Sequence, residues 1–396
     1  MKSKAIGIAA ILIMTSICLT AWGGSDSGKG NGVEGRSGQS LIHPFNIAID
    51  PMERLLLINF EQDPDSVYIG FEPQVLDDTV NGRGHLVIGW RRDGFVDVYH
   101  MPTLTLDPEK YDIAGKGVHR MAPTPFSQAS FEVVERGAQA AYQFTDIYGR
   151  EVVLEIKENN PRKRKPFGLL APMGSAAEAP SAMPLILLED FYFVRVKHTT
   201  ITITIGGREH TPDRLAIPLD FRRMYFARYS PKPLIATLNP AFDGPLMPIK
   251  MGEEGVEAVV DHHVIQTLQT DAGRAIHRIA RNNDFHPVGI TFSPSFPDLA
   301  SLPEGAAVTG SFTIEGHPST GTISGHYLVA REQDNITVEM VPSDGWSPRP
   351  DRLSLRFMYS MVKMFRQWPT EYRWKAEINR QDDGTFWMSS RWVKGS

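Results

Sequence analysis

The stretch TITITI, from Thr200 to Ile205, alternates strictly between threonine and isoleucine and is followed by Gly206-Gly207. Successive side chains of a β-strand point to opposite faces of its sheet, so this stretch presents one polar face and one apolar face. A strand with a single buried face is typical of antiparallel sheets, because parallel sheets are usually covered on both faces. The stretch therefore predicts antiparallel β architecture.

The same two-residue period recurs along much of the chain. Apolar runs flank Arg92-Asp93-Gly94 and Asp382-Asp383-Gly384, and Asp-Gly between apolar runs is a strong signal for a β-hairpin. A late segment follows helical spacing instead and stops at a proline. Its apolar side chains are Phe357, Met361, Met364, Phe365 and Trp368. We therefore predict an amphipathic helix over residues 352–368.

These patterns predict a mainly β protein with two antiparallel β-barrel or sandwich halves and one late amphipathic helix. We place an N-terminal β domain at residues 42–245 and a C-terminal β domain at residues 246–396, with the junction in a Pro- and Gly-rich connection. The length and strand rhythm of the chain from residue 41 onward resemble the double-lipocalin proteins, which include the hydroxyneurosporene-synthase-like (carotenoid hydratase-like) proteins. The resemblance implies two lipocalin-like barrels and assigns no catalytic residue.

The N-terminus has the order of an export signal. Lys2 and Lys4 precede an apolar run over residues 5–20, and a segment rich in Gly and Ser follows. The apolar run is short for a transmembrane span and suits a secretory signal. We predict a signal peptide at residues 1–23 and a flexible tether at residues 24–41, so that the protein is secreted, periplasmic or on the outer face of the cytoplasmic membrane. The alternative is an uncleaved N-terminal anchor.

Trp22 stands at an unusual place in this signal. The segment resembles a bacterial lipoprotein signal, in which a cysteine at this position receives the lipid, and an indole cannot form that thioether bond. Ala21-Trp22-Gly23 does fit the small-x-small pattern of ordinary signal peptidase cleavage. The sequence therefore predicts export with an altered lipid-attachment site.

Composition excludes several classes of function. Cys18, the single cysteine, lies in the predicted signal peptide, so the predicted mature chain has no disulfide framework, no thiolate nucleophile and no cysteine-based metal site. The formal net charge of -5 argues against a nucleic-acid partner. The chain also lacks the motifs G-x-S-x-G, H-E-x-x-H and the P-loop. We expect no cofactor.

Two Asp-x-His pairs come nearest to catalytic chemistry. Residues two apart share one face of a strand, so each carboxylate lies beside an imidazole. Such pairs supply a general acid and base, or ligands for zinc. A structural or surface role is the alternative. The predicted catalytic residues are Asp261, His263, Asp284 and His286.

Aromatic and polar side chains also alternate around the first hairpin and at the start of a later apolar strand. Inside a barrel such side chains would form an amphipathic ligand pocket. The alternative is a tryptophan core anchor with half-exposed polar neighbours. The predicted ligand-binding residues are His85, Trp90, Tyr99, His100, Asp190 and Tyr192.

Three functions are compatible with these features. The first is an exported protein that binds a hydrophobic or amphipathic small molecule at the cell envelope. The second is an enzyme, a hydratase, isomerase or hydrolase, that acts on a lipid-like substrate with Asp and His. The third is a structural module of the envelope.

The basic run Arg162-Lys163-Arg164-Lys165 is either a solvated loop or a contact with an anionic membrane surface.

Overall fold

The protein is mainly β, as predicted, with large antiparallel sheets. The computed structural model describes residues 40–50, 52–79, 81–106, 117–172, 183–216, 218–251, 256–260, 262–271, 273–282, 287–361 and 368–394. The predicted signal peptide and most of the predicted tether lie outside these residues. None of the described helices has the length and apolar content that a bilayer span requires.

The first large sheet is built from the N-terminal part of the chain, and its strands are antiparallel except for the last pair. In spatial order its strands are β2 (Ile47–Asp50), β16 (Pro233–Leu238), β12 (Met183–Arg195), β15 (Met224–Ser230), β3 (Arg54–Asn59), β4 (Tyr68–Asp78), β5 (Gly82–Arg91), β6 (Val96–His100) and β7 (Val118–Pro123), with β11 (Phe167–Pro172) paired to β12.

A smaller sheet of five strands covers one face of the first sheet. Its order is β14 (Arg208–Glu209), β13 (Thr199–Ile205), β10 (Glu151–Glu158), β9 (Gly137–Thr145) and β8 (Gln128–Val134). The TITITI stretch forms β13, in which Ile203 and Ile205 are buried while the neighbouring threonines are only partly covered. The alternation therefore gives the single buried face that it predicted.

The second large sheet contains the C-terminal strands, all antiparallel. Its order is β17 (Phe242–Leu246), β27 (Phe386–Lys394), β26 (Tyr372–Arg380), β25 (Asn335–Ser347), β24 (Thr322–Glu332), β23 (Ala307–Glu315), β22 (Val288–Pro297), β21 (Gly273–Arg281), β20 (His263–Thr270) and β19 (Glu257–Val260). The chain passes from the first to the second large sheet between Leu238 and Phe242, whereas the predicted junction follows residue 245.

Short elements complete the fold. A two-stranded sheet pairs β1 (Ser40–Leu41) with β18 (Ile249–Lys250), so the last two residues of the predicted tether are strand. Helix α1 spans Leu353–Met361, and 3-10 helices span Pro318–Thr320 and Trp368–Glu371. Residues 362–367 of the predicted helix lie outside the described residues.

The two large sheets share one core. On β5, Val87 packs toward the five-stranded sheet, whereas Leu86 and Ile88 belong to a larger cluster that also holds side chains of the second sheet. Phe45, just before β2, joins the two: the centre of its ring lies 4.9 Å from that of Phe292 and 5.8 Å from that of Trp374. This shared core fixes β11 and β12 against the C-terminal part of the chain, where the candidate site lies.

Candidate ligand-binding cleft

Two neighbouring cavities lie where β11 and β12 meet α1 and the 3-10 helix Pro318–Thr320. Their volumes are about 40 and 310 Å³, so that the larger one alone reaches the lower end of the size range of small-molecule sites. Phe167 on β11 and Leu355 on α1 line both cavities, so the two form one cleft with an apolar middle.

The smaller cavity, called here the basic cavity, is lined by cationic and aromatic side chains. Its acidic lining residue is Asp220, whereas its basic and aromatic lining residues are Arg164, Lys165, Arg195, Arg222, Arg352, Phe167, Tyr192 and Phe193. Aliphatic side chains, Leu219, Met224 and Leu355, complete the wall together with Ser354. The cavity combines positive charge with apolar surface.

Arg352 is already neutralised in this cavity. Its Nη1 atom donates to Oδ2 of Asp220 at 2.6 Å, and the Ser354 hydroxyl donates to the other oxygen at 2.7 Å. Burial would raise the pKa of Asp220, but the hydrogen bonds from Ser354 and Arg352 and the charges of Arg352 and Lys165 hold it below its usual value. Asp220 is therefore ionised at neutral pH and anchors the start of α1.

Arg195 lies beneath the cavity and is fully engaged. Its Nε donates to Oε1 of Glu158 at 2.6 Å, and its other two nitrogens donate to the carbonyls of Arg162 and Arg136 at 2.6 and 3.0 Å. Among the described residues no ion pair engages Lys165 or Arg222. A ligand in the basic cavity could therefore meet both of these cations.

Tyr192 and Arg164 form an aromatic and cationic wall. The Tyr192 ring stacks on Tyr229 with 5.4 Å between centres, and the Arg164 guanidinium lies 4.9 Å from the centre of the Tyr192 ring. Burial and then the charge of Asp190 raise the pKa of Tyr192. The phenol is therefore neutral and can donate a hydrogen bond.

The larger cavity, called here the junction cavity, is lined by both halves of the chain. Gly168 and Asp190 contribute from β11 and β12, and His317, Ser319 and Arg349 contribute from the C-terminal part. The backbones approach closely, since a Cβ atom on Gly168 would lie 2.8 Å from the Ser319 carbonyl oxygen. The Ser319 hydroxyl and His317 Nδ1 are 2.7 Å apart.

The structure therefore brings Asp190 and Tyr192, two of the predicted ligand-binding residues, to the cleft. Tyr192 lines the basic cavity, and Asp190 lines the junction cavity. An acidic residue opening an otherwise apolar strand was the sequence signal. The sequence analysis did not identify Phe167, Arg222 and Leu355 as residues of the cleft, because nothing in their local sequence indicates that they meet.

The other predicted ligand-binding residues lie on two faces of the first sheet and line neither cavity. Trp90 donates to Oε2 of Glu72 at 3.1 Å on one face. On the opposite face His85 bonds the Tyr142 hydroxyl at 3.0 Å, and the hydroxyls of Tyr99 and Tyr68 are 2.6 Å apart. His100 bonds the carbonyl of Met101 at 2.9 Å. Each of these side chains bonds the protein itself.

Of the predicted catalytic residues, Asp261, Asp284 and His286 lie outside the described residues. His263 lies at the start of β20, where its Nε2 is 3.1 Å from the carbonyl oxygen and 3.3 Å from the amide nitrogen of Ile47. It therefore contacts β2 of the first sheet rather than either cavity.

A different Asp–His pair was missed by sequence reasoning. Asp97 on β6 is fully buried, and its Oδ1 lies 2.7 Å from Nδ1 of His119 on the neighbouring β7. Its other oxygen accepts from Tyr68 at 2.9 Å and from Arg91 at 3.0 Å. The only sequence signal was an aspartate inside an apolar strand. Neither cavity is lined by this network, which ties β4, β5, β6 and β7 together.

A comparison of the chain with protein-family models, curated proteins and solved structures found no match. Within the described part of the chain, no group of three or more His, Cys, Asp or Glu side chains is placed to hold a metal ion. The geometry of the cleft is therefore the basis for assigning a function to the protein.

Proposed function

We propose that the protein binds an amphipathic small molecule with an acidic head group in this cleft. The observation that carries the proposal is that two cations without an ion pair to any described residue, Lys165 and Arg222, lie next to the apolar surface that Phe167 and Leu355 extend into the junction cavity. The head group would lie at the cations, and the apolar part would lie along Phe167 and Leu355. Pockets between structural halves are common ligand sites.

The proposal keeps the wider expectations from the sequence. We place binding outside the cytoplasm, on the strength of the N-terminal signal order, and we interpret the two large sheets as the lipocalin-like halves. The long runs of consecutive antiparallel strands in the second sheet support that interpretation.

A matched pair of probes tests the head group. Full-length protein is titrated with a fluorescent dansylated long-chain carboxylic acid and with its uncharged methyl ester. A hydrogen bond to a charged group contributes about 1.5–3 kcal/mol, so replacing Lys165 and Arg222 by alanine should weaken binding of the acid about tenfold or more. Binding of the ester should change little.

The control carries alanine at Arg83 and Lys375, two exposed basic residues outside the cleft. It should bind the acid as the parent does. Equal affinity for acid and ester, an equal loss in the control, or no saturable binding of either probe would each contradict the proposal.

A hydrolase is the second candidate, because a serine–histidine pair lies in the junction cavity. His317 Nδ1 is 2.7 Å from the Ser319 hydroxyl, and Asp190 lines the same cavity. An imidazole at this distance could take the hydroxyl proton as the serine attacks an ester carbonyl. A lipid-like ester would suit the apolar surface nearby.

Labelling with a fluorophosphonate tests this second candidate, with Ser319→Ala as the loss variant. The matched control is Ser343, whose hydroxyl is also 2.7 Å from a histidine, His326, but on an exposed surface. Labelling that depends on Ser319 and not on Ser343 supports a hydrolase. Absence of labelling at Ser319 leaves binding as the function.

A further inference from the structure

We infer that the surface around the mouth of the basic cavity docks onto an anionic lipid bilayer. This docking face consists of three exposed apolar side chains, Phe221, Leu353 and Phe357, with basic residues around them. The inference goes beyond ligand binding and stands without it.

Phe221 is at the tip of a tight turn and is fully exposed, at 104%. The Arg222 amide donates to the Leu219 carbonyl at 2.9 Å, and the two central residues, Asp220 and Phe221, have φ angles of 50° and 60°. A bulky residue at positive φ is unfavourable, and glycine or asparagine is the usual choice there. Neither burial nor backbone conformation explains a phenylalanine at this position.

Helix α1 has apolar side chains on two opposite faces. Leu355 and Tyr359, four residues apart, are buried, and the Tyr359 hydroxyl donates to the Gly168 carbonyl at 3.1 Å. Leu353 and Phe357, also four residues apart, are 81% and 53% exposed on another face. A helix that only covers the core would be polar on its outer face. Apolar outer residues beside basic ones are typical of helices that lie in a membrane interface.

Hydrogen bonds hold the turn and the helix together. The carboxylate of Asp220, next to Phe221, accepts from Arg352 and from Ser354, the two residues on either side of Leu353. Phe221 and Leu353 therefore belong to one surface.

Positive charge surrounds this surface. Arg352 donates to the carbonyl of Pro166 at 2.5 Å, which brings the basic run of residues 162–165 beside α1. The turn and the helix segment add further basic residues, whereas the chain as a whole has a net charge of -5. The exposed basic residues in these three segments are Arg162, Lys163, Lys165, Arg223, Arg349 and Arg356. Their acidic neighbours Asp220 and Asp351 are both paired with Arg352.

The positive charge of the docking face favours an anionic bilayer over a second copy of the chain. A second copy docked through a two-fold axis would bring these basic segments against each other, which is unfavourable. An anionic bilayer offers negative head groups to the basic residues and an apolar layer to the three side chains. Docking would turn the mouth of the cleft toward the lipid, the natural source of an amphipathic ligand.

Vesicle flotation of the full-length chain tests the inference. Vesicles of phosphatidylcholine alone are compared with vesicles that also contain phosphatidylserine. The test variant carries Phe221→Ser, Leu353→Ser and Phe357→Ser, and the matched control carries Met247→Ser, Val259→Ser and Leu268→Ser, which are exposed apolar positions elsewhere. All chains keep the same N-terminal segment, so a difference between them comes from the substituted face.

The parent and the control should float with the phosphatidylserine vesicles, and the test variant should bind them at least tenfold more weakly. Arg162→Glu with Lys163→Glu and Arg223→Glu should also weaken binding, and added salt should weaken binding of the parent. Equal flotation of the parent and the test variant, or no preference for phosphatidylserine, overturns the inference. So does a parent that is dimeric by analytical ultracentrifugation and becomes monomeric in the test variant without any vesicle binding.

The probe titration without vesicles keeps the two proposals separate. None of the substituted residues of the docking face lines the cleft, so the test variant should bind the dansylated acid as the parent does. A chain that floats but does not bind the acid contradicts the ligand proposal alone.

Discussion

Glu158 shows how much one buried residue holds together. Its carboxylate is fully buried, pairs with Arg195 at 2.6 Å, and also accepts from the Tyr229 hydroxyl at 3.1 Å and the Ala138 amide at 3.3 Å. These contacts connect the five-stranded sheet to the first large sheet beneath the basic cavity. Arg195 could not stay buried and charged without this partner.

Replacing Glu158 by glutamine should therefore lower the free energy of unfolding by about 3–5 kcal/mol, the usual cost of breaking a buried ion pair. Urea denaturation measures it. The control is Glu155→Gln, which removes an exposed ion pair with Lys157 and should cost about 0–1 kcal/mol. If both variants lost a similar free energy of unfolding, the buried Glu158–Arg195 pair would contribute no more to stability than the Glu155–Lys157 pair.

His43 gives the protein a dependence on pH. Its Nε2 atom is buried and has no hydrogen-bond partner in the described part of the chain, although other atoms of the residue are partly exposed. Burial, and then the charge of His263, lowers the pKa of His43 to about 3. In the unfolded chain this imidazole has an ordinary pKa of 6.5 and takes up a proton near that pH, whereas in the folded chain it does not until about pH 3. The neutral, buried His43 therefore does not reduce the free energy of unfolding above the pKa of the unfolded chain. Below that pKa the free energy of unfolding decreases as the pH falls.

His43→Asn removes this titration while keeping an acceptor for the Phe45 amide, which now donates to His43 Nδ1 at 3.2 Å. When the pH is lowered from about 7 to about 5, the free energy of unfolding of the parent should fall by roughly 1–2 kcal/mol more than that of the variant. The control is His326→Asn, which replaces an exposed histidine and is measured over the same pH range. A constant difference across this range for His43→Asn would mean that His43 is protonated in the folded protein.

At the scale of elements, the contact between β11 and the 3-10 helix Pro318–Thr320 shapes the cleft. Gly168→Ala would place a methyl group 2.8 Å from the Ser319 carbonyl oxygen and would push the two apart. We expect a destabilisation of about 1–3 kcal/mol, as for other overpacked sites, and weaker binding of the dansylated acid. Gly244→Ala is the control, because its methyl group would meet only the partly exposed Phe242 ring, at 3.1 Å. Unchanged melting and binding in Gly168→Ala would show that this contact does not shape the site.

The elements that the sequence predicted well are those whose signal is local. TITITI became β13, and the hairpin at Asp93-Gly94 joins β5 to β6 with Trp90 opposite Val96. The order of strands in the first sheet was not predictable in this way. In that sheet Tyr229 on β15 lies opposite Leu56 on β3. The two strands are far apart in sequence, so burial of both faces of the sheet, rather than a connecting turn, selects their pairing.

The residues of the candidate site that could be predicted are likewise those with a local sequence signal. Asp190 and Tyr192 were noticed because polar groups interrupt an apolar strand. The cleft itself needs Phe167 and Leu355 to meet, and no local pattern indicates a contact across so much sequence. Asp97 and His119 were missed for the same reason, since they meet only through the parallel pairing of β6 and β7.

At the scale of the whole molecule, the cleft exists because the two large sheets share one core. Phe45, before β2, packs its ring 4.7 Å from that of Phe296 on β22, and the Ile42 amide donates to Asp298 at 2.9 Å. Helix α1 is itself bound to β11, because the Tyr359 hydroxyl donates to the Gly168 carbonyl at 3.1 Å, and Phe167 and Leu355 line both cavities. The cleft is therefore a property of the packed pair of sheets rather than of either one.

The most direct test of the central claim is to find where a bound amphipathic acid lies. A long-chain carboxylic acid with a diazirine in its alkyl chain is photolysed with the full-length protein, and the labelled peptides are identified by mass spectrometry. We expect label on the peptides that contain Phe167–Gly168 and Leu355. Excess unlabelled acid should remove this label, and a Leu355→Trp variant that fills the cleft should carry less of it. Saturable label confined to peptides outside the cleft, such as those of β8 to β10, would contradict it.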